Sequence, residues 1–396
     1  TISSAQAYFV GLVQDTTLDL TKTTHILVSG RGTDLGLLPQ YSAISIGQRI
    51  KAVNPTHQVI LLSVFENAGN EIKLLNRGVT IIKRNETVKF FTDSILPEIS
   101  KFKKIESLHF FGHNSPHMGS QTDGDGFRFD FLKPAVWTLK PNFTGNAFLF
   151  IHGCNAGWVI APLISEKWGI PVAGAFTGSR FERIHDVGQF YVFDPLKAPE
   201  WAPGIPNLDW AKINKISFPN PVQCEQGGCF RMRPENTGYN GHWGKMTSAG
   251  LGFYKFFCIN NSESECQRRM ALSLMYELTT KPLNFNSPRQ DFIEAAKDFI
   301  CPPSKNRQLT KECYQAMETA LQGGSRTYTS LLEGPAIQCN FKSCAVEFSC
   351  NKLGGIYQAG SCTAKNLNKA VGTTTQADEF MAYVNGYDVL QQSLKK

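Results

Sequence analysis

Between Thr24 and Ala175 the chain repeats one pattern: a short continuous apolar run, a residue that stops it, then a stretch with helical spacing. The apolar runs are Thr24–Ser29, Gln58–Phe65, Val79–Ile82, Ile105–Phe111, Ala147–Ile151 and Ile170–Ala175. Helical spacing occupies Tyr41–Val53, Ala68–Asn76, Thr87–Phe102 and Gly157–Trp168. A strand that is apolar on both sides must be covered on both sides, and strands separated by helices pair in parallel. The pattern predicts an α/β fold, a mostly parallel sheet with helices on both faces. In such sheets reactive groups gather at the carboxyl ends of the strands.

Two chemistry-bearing residues fall there. His113 follows the run that ends Phe110-Phe111-Gly112, and Cys154 follows the run that ends Ile151-His152-Gly153. Cys154 is also the odd one of eleven cysteines, with no other in the first 223 residues. The rest, Cys224, Cys229, Cys258, Cys266, Cys301, Cys313, Cys339, Cys344, Cys350 and Cys362, crowd into the later part of the chain. An even set of that density reads as a disulfide framework, which leaves Cys154 as a free thiol. A zinc module is the weaker reading. Cys224-x4-Cys229 and Cys344-x5-Cys350 lack compact C-x2-C pairs, so no metal and no cofactor is expected.

Cysteine density and proline content also suggest a division. Residues 1–205 read as the α/β domain, and 206–223 as a proline-rich connector. Residues 224–396 read as a disulfide-rich, mainly helical and irregular accessory domain closed by a helix at Gln376–Leu394. Disulfides imply an oxidising compartment, so the expected location is secreted, periplasmic or cell-surface, after removal of a signal peptide. No apolar run approaches the roughly eighteen residues of a membrane helix. The net charge of +7 is scattered and not gathered into basic runs with interleaved aromatics, which argues against a nucleic-acid partner.

A thiol becomes nucleophilic when a base takes its proton or a nearby positive dipole lowers its pKa. His113 is the first candidate base, ahead of His117 and His152, and mid-strand His109 reads as structural. A helix starting near Gly157 would aim its N-terminal dipole at Cys154 and favour the thiolate. Backbone N–H groups of the Gly153–Cys154 turn and of the His113 loop are candidate oxyanion donors.

The segments Ser107-Leu-His-Phe-Phe-Gly-His113 and Phe148-Leu-Phe-Ile-His-Gly-Cys154-Asn-Ala-Gly157, with an acidic Gly loop between them, resemble the clan CD cysteine peptidases, the caspase, gingipain and CHAT-domain group. The resemblance covers about Thr24–Ile184 and implies a caspase-like sheet and peptide-bond hydrolysis through a thioester. Many members carry Gly straight after the catalytic histidine, and its N–H helps to hold the oxyanion. Here that place is taken by Asn114, whose backbone N–H would serve instead. Members select substrates with a charged pocket, for which Asp123, Asp125 and Asp186 are candidates. The expected function is an exported cysteine endopeptidase acting on protein or peptide substrates. The alternative is an inactive caspase-like scaffold that serves as a secreted or surface binding protein. An α/β-hydrolase reading fails because no G-x-S-x-G follows.

Overall fold

The structure is a computed structural model. It describes residues 11–12, 18–29, 38–64, 80–84, 95–115, 119–121, 138–140, 142–157, 160–185, 189–192, 215–217, 229–234, 252–279, 281–301, 307–323, 338–339, 344–345, 348–349, 352–353, 356–357, 363–364 and 374–395.

The elements, in chain order, are β1 (Gly11–Leu12), β2 (Thr23–Ser29), α1 (Leu38–Val53), β3 (Gln58–Val64), β4 (Thr80–Arg84), α2 (Leu96–Ile99) and β5 (Lys104–Phe111). There follow β6 (His113–Ser115), β7 (Gly119–Gln121), β8 (Phe143–His152), α3 (Ile160–Trp168), β9 (Val172–Ala175), β10 (Ser179–His185), β11 (Gln189–Val192) and β12 (Lys215–Ser217). The later part holds β13 (Cys229–Pro234), β14 (Tyr254–Phe257), α4 (Glu263–Tyr276), α5 (Arg289–Ile300), α6 (Arg307–Leu321) and α7 (Thr374–Leu394), besides short two-residue strands.

The main sheet has the order β1-β4-β3-β2-β5-β8-β9-β14. Its six inner strands run parallel, and the edge strands β1 and β14 are antiparallel. The apolar runs at Thr24–Ser29 and Ile105–Phe111 become β2 and β5 and are buried almost throughout. The strand order reverses between β2 and β5, and β5 and β8 lie on one side of that switch point. Helices cover both faces. On one face His25, Phe148 and Phe150 meet Tyr276 at the end of α4 and Phe299 of α5. On the other, Gly174 of β9 lies so close to α3 that an added Cβ would sit 2.9 Å from Ala161 Cβ. Of the expected Thr87–Phe102 helix residues 95–102 are described, and among them Leu96–Ile99 alone is helical, as α2; the expected helix at Ala68–Asn76 lies outside the described residues.

The expected boundary between residues 205 and 224 does not separate two cores. Strand β14 extends the main sheet by pairing with β9, through Tyr254↔Ala175 to Phe257↔Val172. Strand β13 pairs with β10 in a second sheet, of order β12-β11-β10-β13. Phe256, Phe299 and Tyr383 pack edge-to-face in the same apolar cluster as Ile26 and Phe150. At roughly 1.5–3 kcal/mol for each fully buried large apolar side chain, these residues are core and not an appendage. The connector at 206–223 lies outside the described residues except for β12. Of the expected disulfide cysteines, Cys258 and Cys266 lie at disulfide distance, as do Cys301 and Cys313.

Helix α4 carries the later half of the chain onto the sheet. Its start is fixed by a capping box: the Ser262 hydroxyl accepts from the Glu265 N–H (3.3 Å), and the Glu265 carboxylate accepts from the Ser262 N–H (3.4 Å). Such a cap contributes about 1 kcal/mol. The Cys258–Cys266 pair ties the first turn to the end of β14. The far end delivers Tyr276 and Glu277 against the central strands.

Candidate active site

Strands β5 and β8 are parallel neighbours whose last paired residues are Phe111 and His152. His113 lies two residues beyond the first of these and Cys154 two beyond the second, so both leave the sheet at the same edge. The two exits touch. The Gly112 N–H donates to the His152 carbonyl (3.3 Å), and the Asn114 carboxamide donates to the Cys154 carbonyl (2.9 Å). A Cβ on Gly153 would fall 2.6 Å from Asn114 Cβ and 2.9 Å from the Gly112 carbonyl oxygen, a crossing that only glycine allows. Gly112 itself turns with φ 140°, a conformation open to glycine and rarely to other residues.

After Cys154 the chain reverses sharply. Asn155 sits in the left-handed region with φ 58°, which asparagine tolerates better than most residues. Its N–H donates to the Thr177 carbonyl (3.0 Å), and its fully buried carboxamide has no hydrogen-bond partner among the described residues. The Gly157 N–H donates to the Ala175 carbonyl (2.8 Å), and α3 begins at Ile160.

Cys154 is a free, partly buried thiol. Its nearest polar partner is a residue that the sequence reading left out. The Ser179 N–H donates to Cys154 Sγ at 3.2 Å, while the Ser179 hydroxyl donates to the Gly153 carbonyl at 3.1 Å. Burial pushes the thiol pKa up, and the Ser179 N–H and the thiol's own backbone N–H oppose the shift. The expectation of a dipole-lowered thiolate is therefore not met. Desolvation outweighs the donors, and the resting group is the protonated thiol. Tyr254 of β14 also closes the site. Its hydroxyl donates to the Met232 carbonyl (3.0 Å), and burial, then Glu277 and Cys154, push it well above its ordinary range.

Compared with known protein families and with curated proteins, the chain matches none.

The other predicted site residues divide cleanly. Asn114 is buried beside Cys154, tethered through its side chain, and its backbone forms part of the β6–β7 hairpin opposite Ser120. Gly153 makes the close crossing described above. Asp123, Asp125, Asp186 and His117 lie outside the described residues. His152, a rival base on sequence grounds, points away from that role. It is buried between Phe111 and Phe150, with ring centroids 4.3 and 4.4 Å away, and burial pushes its pKa well down. Ser179 and Tyr254 carry no sequence signature of their own. Both are brought in by strands, β10 and β14, that follow Cys154 in the chain.

A line of polar groups, buried except for the half-buried His57 at its start, runs along the same face of the sheet. His57 Nδ1 lies 3.0 Å from His25 Nε2, and His25 Nδ1 lies 2.7 Å from Ser107 Oγ. Ser107 Oγ is 3.1 Å from His109 Nε2, and His109 Nδ1 is 3.1 Å from His152 Nε2. Burial pushes the His109 pKa down to about 3, so its imidazole is neutral at physiological pH. At the end of the line Glu277 Oε1 lies 3.5 Å from His152 Nε2.

Proposed function

We propose that this chain is a cysteine endopeptidase that works through His113 and Cys154. One observation carries the reading: the histidine and the free thiol of Cys154 extend equally far beyond the ends of neighbouring parallel strands, on segments that contact each other. The protonated state of the resting thiol favours a general-base mechanism over a preformed ion pair.

In this mechanism the His113 imidazole takes the Sγ proton as sulfur attacks the peptide carbonyl carbon. The Ser179 N–H, already directed at sulfur, stabilises the charge that develops there. Backbone N–H groups of Gly153, Cys154 and Asn114 hold the oxyanion. The tetrahedral intermediate collapses, the C–N bond breaks, and His113 gives its proton to the leaving amine. Water then attacks the thioester with His113 again as base, releasing the carboxylic acid and restoring the thiol. No cofactor enters any step. Asp123, Asp125 and Asp186 are proposed to set the charge of the residue accepted before the scissile bond, and export to an oxidising compartment fits the two cysteine pairs at disulfide distance.

The experiment is digestion of a mixed peptide library, read by mass spectrometry. Cleavage by the wild-type chain that is lost in both Cys154→Ala and His113→Ala supports the reading. Cleavage retained by Cys154→Ala overturns it. An inactive caspase-like scaffold is the second reading, favoured by Asn114, whose carboxamide is committed to the Cys154 carbonyl where relatives of the resembled group carry glycine. A folded wild-type chain that cleaves nothing supports that alternative.

A further inference from the structure

We propose that His109, His152 and Glu277 form a buried binding site for a divalent transition metal of the zinc class. The three come from β5, β8 and the residue that ends α4, and all are buried. No local spacing announces the set, and the sequence alone led to an expectation of no metal.

The geometry carries the proposal. His109 Nδ1 and His152 Nε2 are 3.1 Å apart, His152 Nε2 and Glu277 Oε1 are 3.5 Å apart, and the three donor atoms lie within 4.8 Å of one another. Donors bound to a zinc ion at about 2.0–2.1 Å in a tetrahedral arrangement sit roughly 3.3 Å apart. Two histidines and one glutamate are a donor set that zinc uses. A histidine ligand ordinarily gives its other ring N–H to a fixed acceptor, and His109 Nε2 lies 3.1 Å from Ser107 Oγ.

The second, independent observation is the carboxylate. Neither oxygen of Glu277 has a hydrogen-bond partner among the described residues, although the side chain is about 1% exposed. No N–H or O–H among the described residues donates to it. A fully buried carboxyl with neither oxygen partnered is rare in native proteins. A cation held between it and the two imidazoles removes the anomaly. The comparable cluster of His25, His57 and Glu106 has no such orphan, because Glu106 accepts from the Tyr276 hydroxyl at 3.3 Å. The metal would tie the end of α4 to the two strands that carry His113 and Cys154. It is independent of whether those residues cleave peptides.

The test uses the whole chain, stripped with a chelator and then reloaded with Zn2+ or Co2+. The expected result is about one metal per chain and a thermal midpoint that rises by roughly 3 °C at a hundredfold excess over the dissociation constant. Visible Co2+ bands should show four-coordinate nitrogen and oxygen ligation. Glu277→Gln and His109→Gln should stay folded by circular dichroism but bind more than the roughly 10–100-fold weaker that outer-shell changes produce. His57→Gln, in the other cluster, should keep full stoichiometry. The proposal is overturned if neither ion is retained nor raises the midpoint, or if Glu277→Gln binds as wild type does. Loss of metal from His57→Gln alone, or a thiolate-to-cobalt band that places the ion on Cys154, also overturns it.

Discussion

Replacing Gly153 by alanine tests the close passage between the His113 and Cys154 loops. The added Cβ would meet Asn114 Cβ at 2.6 Å and the Gly112 carbonyl oxygen at 2.9 Å, whereas ordinary contact begins at 3.4 Å. Both neighbours belong to the other loop and neither is the end of a flexible side chain, so the loops must part by about 0.8 Å. Overpacking of this kind costs about 1–3 kcal/mol. A displacement approaching 1 Å also lowers a reaction that needs both side chains by up to about a hundredfold. The natural control is Gly145→Ala in β8, where nothing lies within 4 Å of the added Cβ. That change should be neutral or stabilising by up to about 1 kcal/mol, because alanine costs less entropy than glycine. Urea unfolding followed by tryptophan fluorescence measures both. If Gly153→Ala is as stable as Gly145→Ala, the two loops do not cross as closely as the geometry requires and the reasoning fails.

Three further outcomes follow from the packing and the charges. Alkylation of Cys154 by iodoacetamide should quicken about tenfold per pH unit through neutrality and keep rising beyond pH 9, because burial raises the thiol above its ordinary value of 9.0; a plateau at or below pH 7 would show a preformed thiolate instead. Gly386→Ala in α7 places a Cβ inside the Gln267 backbone of α4, so despite a gain of about 1 kcal/mol in helix propensity it should destabilise by roughly 1–3 kcal/mol in chemical denaturation, and a stabilised variant would contradict that packing. Lys255→Met strands Glu379, which accepts from Lys255 Nζ and from the Phe256 N–H, each at 2.7 Å, and should cost about 3–5 kcal/mol. Burial raises the Glu379 pKa, so the loss should be greatest at high pH and shrink as the carboxyl protonates on acidification; a loss that grows towards low pH would refute the assignment.

The sheet was legible because its strands are buried on both faces and so read as continuous apolar runs, as Ile105–Phe111 shows. The shared edge of His113 and Cys154 was legible for the same reason, since equal strand ends in neighbouring parallel strands leave the sheet together. The unity of the core was not. Tyr254–Phe257 reads Tyr-Lys-Phe-Phe, and its lysine hides a core strand until Glu379, 124 residues on, neutralises it. Arg231 and Arg233 conceal β13 in the same way. Their partners include the Leu278 carbonyl, Asp298 and the carbonyls of Phe299 and Cys301, the last three at the end of a helix that no local pattern connects to them. Cysteine density looked like a separate module because spacing records disulfides and not which sheet the surrounding strands join. The polar line from His25 to Glu277 was invisible for a further reason: its members come from three strands and the end of α4, and only parallel register together with the seating of that helix brings them side by side.

Acid-quenching the chain during turnover of a good peptide substrate and weighing the intact protein tests the proposed dyad directly. The mechanism requires a transient acyl adduct that maps to Cys154 in the wild-type chain and is absent from a folded His113→Ala variant. An adduct that maps to another residue, or one that accumulates equally without His113, would contradict it.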